Sequence, residues 1–100
     1  MGRIIAKIKH PKTGHDVYFE WSTIVDGPVT YGMTLEEFKA YYKDEYGRHG
    51  MESLPDQLIK VDLHGHNSRF YKTVEDLLST TQQNWPVEKV VKAIILKKGL

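Results

Sequence analysis

The chain contains no cysteine, and its charges nearly cancel, with fourteen lysine and arginine residues against thirteen aspartate and glutamate residues. Without cysteine there are no disulfides and no thiol chemistry, and a reducing compartment is allowed. Because the two signs of charge are mixed along the chain, no basic arm or acidic tail provides the usual electrostatic attraction for nucleic acid. We therefore expect a cytoplasmic protein whose main partner is not nucleic acid.

Long apolar runs and targeting signals are lacking as well. No segment approaches the ~18 apolar residues of a membrane span, so we expect no membrane association. The first residues lack the apolar core of a signal peptide. No repeat or linker divides the sequence, and its length predicts a single domain over 1–100.

Alternation of apolar and polar residues predicts a β-hairpin at the start of the chain. Residues 4–9 alternate with period two, and so do residues 17–24. The segment from Pro11 to Asp16 between these runs contains the proline and glycine that are typical of a turn. Two alternating runs around a short turn are the pattern of an antiparallel pair of strands.

A long connection follows the second predicted strand. The motif Asp26-Gly27-Pro28 ends this strand, because proline cannot donate to a ladder of hydrogen bonds. We expect a loop over 25–33, which is long for a connection in so small a domain. Its apolar residues Val29, Tyr31 and Met33 leave two interpretations open: the loop packs against the core, or it is a binding loop.

The strongest local signal is a capping box, Thr34-Leu35-Glu36-Glu37. In such a box the threonine hydroxyl accepts from the amide of the last glutamate, whose carboxylate reaches back to the threonine amide. Phe38 and Tyr42 continue an apolar stripe with helical spacing, and Gly47 suits the position just after a helix end. These residues predict a core-facing helix over 34–46.

The second half of the chain carries less decisive patterns. Residues 58–64 alternate and predict a strand, although a short helix from Pro55 to Leu63 is the alternative. Residues 73–78 predict a short helical turn. Residues 87–95 match a helical stripe, yet the run from Val90 to Leu96 is rich in β-branched residues, which suit a pleated surface. We predict a strand there, mainly because a two-stranded hairpin alone is marginal and needs partners.

Hairpin, helix, strand, helical turn and strand is the element order of the β-grasp fold, and the chain resembles ubiquitin-like domains over nearly its whole length. The matching segments are Arg3-Ile4-Ile5-Ala6-Lys7-Ile8, the Thr-Gly turn, the helix over 34–46, Thr73-Val74-Glu75-Asp76-Leu77 and the tail from Ile94 to Leu100. The resemblance implies an α+β fold with a single mixed sheet of about four strands. The first and last strands would lie parallel at its centre, with the main helix packed across it. The tail departs from the modifier pattern, because it ends in Leu100 rather than in a second glycine.

In such a fold the first and last strands share one exposed sheet face. Six residues would form it: Ile5, Lys7, Lys9, Lys92, Ile94 and Leu96. An apolar centre surrounded by lysines suits a protein partner. The alternative is that Ile94 and Leu96 belong to the core, since one residue of register decides which face they take. Trp85 is a further candidate contact, because tryptophan is favoured at interface hot spots, unless it covers the end of the core.

Asp62, His64 and His66 are spaced two residues apart, so all three would point the same way on a strand. His-x-His with an aspartate beside it is half of a zinc site. Asp62-Leu63-His64-Gly65 also resembles the signature of Smr-type nuclease domains, although the chain lacks their phosphate-binding loop. The alternative is a set of solvated side chains where a strand meets a turn, and we assign neither a metal nor a cofactor to them.

We therefore expect a small non-catalytic protein-binding module, such as an adaptor, an inhibitor or an assembly subunit, that acts through the exposed sheet face. No activated nucleophile, phosphate loop or pair of catalytic carboxylates stands out in the sequence. Two alternatives stay open. One is a ubiquitin-like modifier with a C-terminal tail, and the other is a small metal- or nucleic-acid-processing enzyme that uses Asp62, His64 and His66. Self-association is left open too.

Overall fold

A computed structural model describes residues 3–68, 71–80 and 86–95 of the chain. Its elements are β1 (Arg3–Lys9), β2 (Asp16–Ser22), β3 (Gly27–Pro28), α1 (Leu35–His64), α2 (Val74–Leu78) and α3 (Val87–Ile95). The fold is α+β, as predicted. In these ranges the sheet has three antiparallel strands in the order β1-β2-β3, so the expectation of a mixed sheet of about four strands is wrong.

The N-terminal hairpin is confirmed. β1 and β2 pair antiparallel, with Ile5 opposite Glu20 along the ladder. In the turn, Gly14 has a φ of 74°, a conformation that glycine adopts at little cost. Its amide donates to the His10 carbonyl over 2.9 Å, which closes the turn.

The capping box at the start of α1 is also confirmed. The Thr34 hydroxyl accepts from the Glu37 amide over 3.2 Å, and the Glu37 carboxylate accepts from the Thr34 amide over 2.9 Å. Gly47, the predicted end of the helix, has a φ of 67° and a ψ of −155°. It breaks the helix rather than ending it, because a second helical arm follows at once and continues to His64.

The strand predicted over 58–64 is wrong, because these residues belong to the second arm of α1. Val61 is fully buried there, whereas Ile59 and Leu63 are 58% and 72% exposed. Residues two apart on a helix lie about 200° apart around its axis, so a sequence that alternates does not present one apolar face. The helical alternative from Pro55 to Leu63 has the right type of structure, but this arm starts earlier.

The C-terminal strand predicted over Val90–Leu96 is also wrong, since residues 87–95 form α3. Val90 and Ile94 are buried, and three further apolar residues of α3 are partly buried against the same core cluster. Their spacing of three and four residues is a helical stripe. Tertiary packing of this stripe outweighs the β-preference of the individual residues, which is weak and depends on context. The parallel first and last strands implied by the β-grasp resemblance are therefore not formed in the described residues.

Helices cover both faces of the sheet. Because side chains alternate along β1, Ile4, Ala6 and Ile8 pack with α2 and α3, whereas Ile5 packs with α1. The first core cluster contains Ile4, Ala6, Ile8, Phe19, Trp21, Leu77, Leu78, Val90 and Ile94, and the second contains Ile5, Tyr18, Phe38, Tyr42, Leu54 and Val61. The predicted helical turn over 73–78 is confirmed as α2, which Thr73 caps.

Further segments pair with the outer side of β1 and with the part of β2 that β3 does not cover. Residues 65–67 lie along β1, where the Lys7 amide donates to the Gly65 carbonyl over 2.9 Å. Beyond β3, Tyr18 of β2 and Met33 exchange two backbone hydrogen bonds, of 2.7 and 2.8 Å. Covered edges do not act as templates for another chain.

Candidate functional site

The structure does not bring together the residues expected to form one exposed sheet face. Ile5 is 2% exposed beneath α1, and Ile94 is 1% exposed in the cluster on the opposite side of the sheet. The alternative of a core role is therefore correct for Ile94, although a helix rather than a strand places it there. Leu96 and Trp85 lie outside the described residues.

Two lysines of that expected face belong to an ion-pair cluster at the end of the hairpin. Lys7 Nζ lies 3.0 Å from Asp62 and 3.2 Å from Asp16, and Lys9 Nζ lies 2.9 Å from Asp16. Burial works against the charge on Lys7, but the bonds to the two aspartates outweigh it and raise the pKa of Lys7. The bond from Lys9 in turn lowers the pKa of Asp16. The cluster joins the hairpin to the end of α1, so the charge of Lys7 is already paired within the protein.

Asp62, His64 and His66 do not converge on one point. The first two end α1 and the third lies beyond it, so their spacing does not align them as it would on a strand. Asp62 pairs with Lys7, His64 is exposed, and His66 is 1% exposed. Among residues 3–68, 71–80 and 86–95, no three histidine, aspartate or glutamate side chains are placed to hold a metal ion.

A groove of about 580 Å³ lies between the β1–β2 turn and α3. Its floor consists of Val87, Val91 and Ile95, which lie four residues apart on one side of α3 and are only partly buried. The ends of this row are separated by about 12 Å of helical rise. We call this feature the α3 groove; its lining residues are His10, Pro11, Lys12, Val87, Glu88, Val91, Lys92 and Ile95.

The rim of the α3 groove carries more positive than negative charge. Lys12 of the turn and Lys92 of α3 are exposed, and neither forms an ion pair within the described part of the chain. Glu88 is the acidic residue of the lining. His10 is held by the turn, because its Nδ1 accepts from the Lys12 and Thr13 amides over 3.1 and 3.4 Å. The groove thus combines an apolar floor with two available cations.

A second cavity, of about 510 Å³, adjoins the α3 groove and shares Val87 and Val91 with it. Its other walls are the Lys7–Asp16–Asp62 cluster and the α2 residues Val74, Glu75 and Leu78. Its charged groups are largely paired with one another, unlike Lys12 and Lys92. Within the described part of the chain, the lysines without an ion-pair partner therefore lie on the α3 groove side of this shared floor.

Sequence reasoning included Lys92 but missed the floor of the α3 groove. The spacing of Val87, Val91 and Ile95 was the available signal, since a period of four is helical rather than extended. Assigning a strand to this segment hid that row. The contribution of residues 10–12 had no local signal, because it depends on how the hairpin packs against α3.

The connection over 25–33 is not a loop throughout, because Gly27 and Pro28 form β3; the rest combines packing with exposure, and the binding-loop interpretation stays a prediction. The Gly32 amide donates to the Ile94 carbonyl over 3.0 Å, which fixes one end of the connection against α3. Nearer its start, Ile24 is 81% exposed, and Val29 and Tyr31 are 41% and 47% exposed. None of these three exposed apolar side chains belongs to the α3 groove lining.

A buried carboxylate lies between the sheet and the first arm of α1. Glu20 is 1% exposed and accepts hydrogen bonds from the hydroxyls of Tyr41, over 2.5 Å, and Tyr46, over 2.7 Å. The Arg3 guanidinium lies 3.5 Å from it. Burial and the bond to Glu20 raise the pKa of Tyr46 to about 12, and they raise the pKa of Tyr41 as well. Both phenols therefore stay protonated near neutral pH, and Glu20 is satisfied within the fold.

No protein-family model, curated protein or solved structure matches this chain. The β-grasp resemblance therefore stays a prediction that these comparisons leave untested. Within the described ranges, no helix has the combination of length and apolar character that crossing a membrane requires.

Proposed function

We propose that this protein is a small non-catalytic protein-binding module, and that its binding site is the α3 groove. The observation that carries the proposal is the row of Val87, Val91 and Ile95, which is partly open to solvent and lies between Lys12 and Lys92; neither lysine forms an ion pair within the described residues. Removing apolar surface from water contributes roughly 25 cal/mol per Å², so covering this row favours association. The lysines add charge that a partner of the opposite sign satisfies.

The shape and charge of the groove favour an acidic, amphipathic segment of a partner protein. An amphipathic helix presents apolar side chains at three- and four-residue spacing, and three such anchors span about 10 Å. This length is close to that of the groove floor. Acidic residues beside those anchors would meet Lys12 and Lys92, which speeds association and selects against basic segments.

This proposal keeps the expected class of function but moves the binding surface. The sheet faces are covered by helices, so the surface lies on α3 and the hairpin turn instead. An adaptor, an inhibitor and an assembly subunit all fit such a module. The modifier alternative concerns residues 96–100, which lie outside the described ranges.

Selection from a displayed library of random peptides tests the proposal. Enriched peptides are synthesised and titrated against the purified protein by calorimetry. We expect them to combine acidic residues with apolar residues at helical spacing. Val91→Asp places a charge on the apolar floor and should weaken binding by about tenfold or more. Lys92→Glu should mainly slow association.

Ile24→Asp is the matched control, because it places the same charge on an exposed apolar residue outside the groove. Unchanged affinity for Val91→Asp, or loss of affinity only for Ile24→Asp, would remove the groove from consideration. Two other occupants are also checked. A dimer that Val91→Asp dissociates would assign the groove to a second copy of the chain. Tighter peptide binding after deletion of residues 96–100 would assign it to the protein's own C-terminal segment.

A further inference from the structure

Residues 65–67, which we call the strap, close the outer edge of β1. Besides the bond from Lys7 to Gly65, the Asn67 amide donates to the Ile5 carbonyl over 3.1 Å. The Asn67 side-chain oxygen accepts from the Ile5 amide over 2.9 Å. Without the strap, these outward-facing backbone groups of β1 would form an open sheet edge.

The middle of the strap is a histidine that is almost fully buried. His66 forms a bridge with Ala6 of β1 and is 1% exposed. Its Nδ1 accepts a hydrogen bond from the Ser68 amide over 3.1 Å, which requires a lone pair on that nitrogen. The proton of the neutral ring is therefore assigned to Nε2, a buried atom that meets no acceptor in hydrogen-bond geometry among the described residues, although the backbone of Lys72 and Tyr71 nearby favours a positive charge on the ring. The ring of Tyr71 meets this imidazole edge-on, with the ring centroids 6.5 Å apart.

A proton added to Nδ1 is incompatible with this arrangement. The lone pair that accepts from Ser68 disappears, and two N–H groups then face each other. The resulting cation is buried, and burying a charge without a paired partner is costly. His66 therefore holds the strap in place only in its neutral form.

Among the described residues, no carboxylate forms an ion pair with His66. Burial has the largest effect and lowers the pKa of His66, while the backbone of Lys72 opposes this shift. His64 at the end of α1 disfavours a second positive charge nearby, and Asp76 of α2 and the Tyr71 backbone favour it more weakly than burial opposes it. Because the pKa is lower in the closed state, the closed strap is fully stable above the ordinary histidine pKa of 6.5 and loses stability as the pH falls below it.

We propose that the strap is a pH-operated latch, in which protonation of His66 on mild acidification releases residues 65–67 and uncovers the edge of β1. An uncovered edge pairs with an extended segment by adding a strand to the sheet. This surface is distinct from the α3 groove, and the latch does not depend on the proposed binding function.

Amide hydrogen exchange of the full chain, measured by NMR at about pH 7.5 and about pH 5 and corrected for intrinsic rates, tests the latch. The amides of Ile5 and Lys7 donate to the strap, so those of Ala6 and Ile8 alternate toward β2. We expect protection of Ile5 and Lys7 to fall by roughly threefold or more at the lower pH, while Ala6 and Ile8 keep theirs. An equal loss at all four amides would indicate general unfolding and would overturn the proposal.

His66→Asn is the matched variant, because the asparagine oxygen accepts from an amide two residues ahead but does not titrate. Its Ile5 and Lys7 amides should show no pH-dependent loss. His64→Gln removes the exposed neighbouring histidine and should keep the pH-dependent loss, shifted toward higher pH because the repulsion from His64 is gone. A response that survives in His66→Asn would overturn the latch. If that variant does not fold, the imidazole titration of His66 in the unaltered protein decides, since the loss of amide protection must follow it.

Discussion

Removing the tyrosine hydroxyls from Glu20 tests how α1 is held to the sheet. A hydrogen bond to a charged group contributes about 1.5–3 kcal/mol to stability. Tyr41→Phe deletes the shorter bond, of 2.5 Å, and should cost about 2 kcal/mol. The Tyr46 hydroxyl donates to Glu20 over 2.7 Å, but Tyr46 is 37% exposed. In Tyr46→Phe, water takes over part of the role of the lost hydroxyl, so the change should cost about 1 kcal/mol.

The two changes together should cost more than their sum. With both hydroxyls gone, the buried carboxylate of Glu20 has the Arg3 guanidinium at 3.5 Å as its remaining partner in the described residues. Leaving a buried charge poorly paired costs about 3–5 kcal/mol. Adding Glu20→Gln to the double variant removes that charge and should recover part of the loss. Urea unfolding followed by circular dichroism measures each free energy, and the coupling comes from the double-mutant cycle.

Tyr42→Phe is the control for this cycle. The Tyr42 hydroxyl accepts from Gln57 over 3.3 Å and has no bond to Glu20, so its removal should cost clearly less than Tyr41→Phe. Costs for Tyr41→Phe and Tyr46→Phe that do not exceed the cost of Tyr42→Phe would show that the two phenols do not stabilise Glu20. Additive effects would contradict the predicted coupling, because the cost of losing one hydroxyl would then not depend on whether the other is present.

Three further predictions concern the core, the helix break and alkaline pH. Phe38→Ala should lower the free energy of unfolding, measured in urea, by about 3–5 kcal/mol, because Phe38 is fully buried among three tyrosine rings. A cost below about 1 kcal/mol would contradict a central position of Phe38 in the core. Gly47→Ala should cost about 1–3 kcal/mol, since the φ of 67° and ψ of −155° at Gly47 strain any residue with a side chain. A stabilised variant would show that the helix break at Gly47 is absent in that variant. Stability should fall as the pH rises from about 10 to about 12, because the pKa of Tyr46 is raised to about 12 in the folded state, whereas this tyrosine ionises near 10 in the unfolded chain. Thermal unfolding measures this slope. The double variant Tyr41→Phe with Tyr46→Phe should flatten it.

The parts of the fold that the sequence predicted are those specified by neighbouring residues. The capping box at Thr34 and the hairpin turn at Gly14 each use interactions within a few positions, so their patterns are visible in the chain. Gly47 was predicted to end the helix, whereas the structure shows a break there with a second helical arm beyond it. Whether the helix resumes beyond it depends on the packing of residues such as Leu54 and Val61 against the sheet, which no local pattern records.

The candidate site was less accessible to sequence reasoning, because it depends on contacts between distant segments. Choosing a strand for the C-terminal segment placed Ile94 on a surface, whereas α3 buries it and leaves Val91 and Ile95 only partly covered. The β-branched residues there favour a strand individually, whereas their spacing forms a helical stripe. The stripe prevails because it packs against both the sheet and α2. Lys92 was predicted as part of an exposed sheet face, whereas the structure places it on α3 at the rim of the groove, so its role in binding stays a prediction.

Chemical-shift mapping of the strongest selected peptide on the ¹⁵N-labelled protein tests the binding site most directly. We expect the largest changes at residues 10–12 and along α3 at Val87, Val91 and Ile95. Changes centred instead on Ile24 and Tyr31, or on the β1 edge, would contradict the assignment of the α3 groove as the surface through which this protein acts.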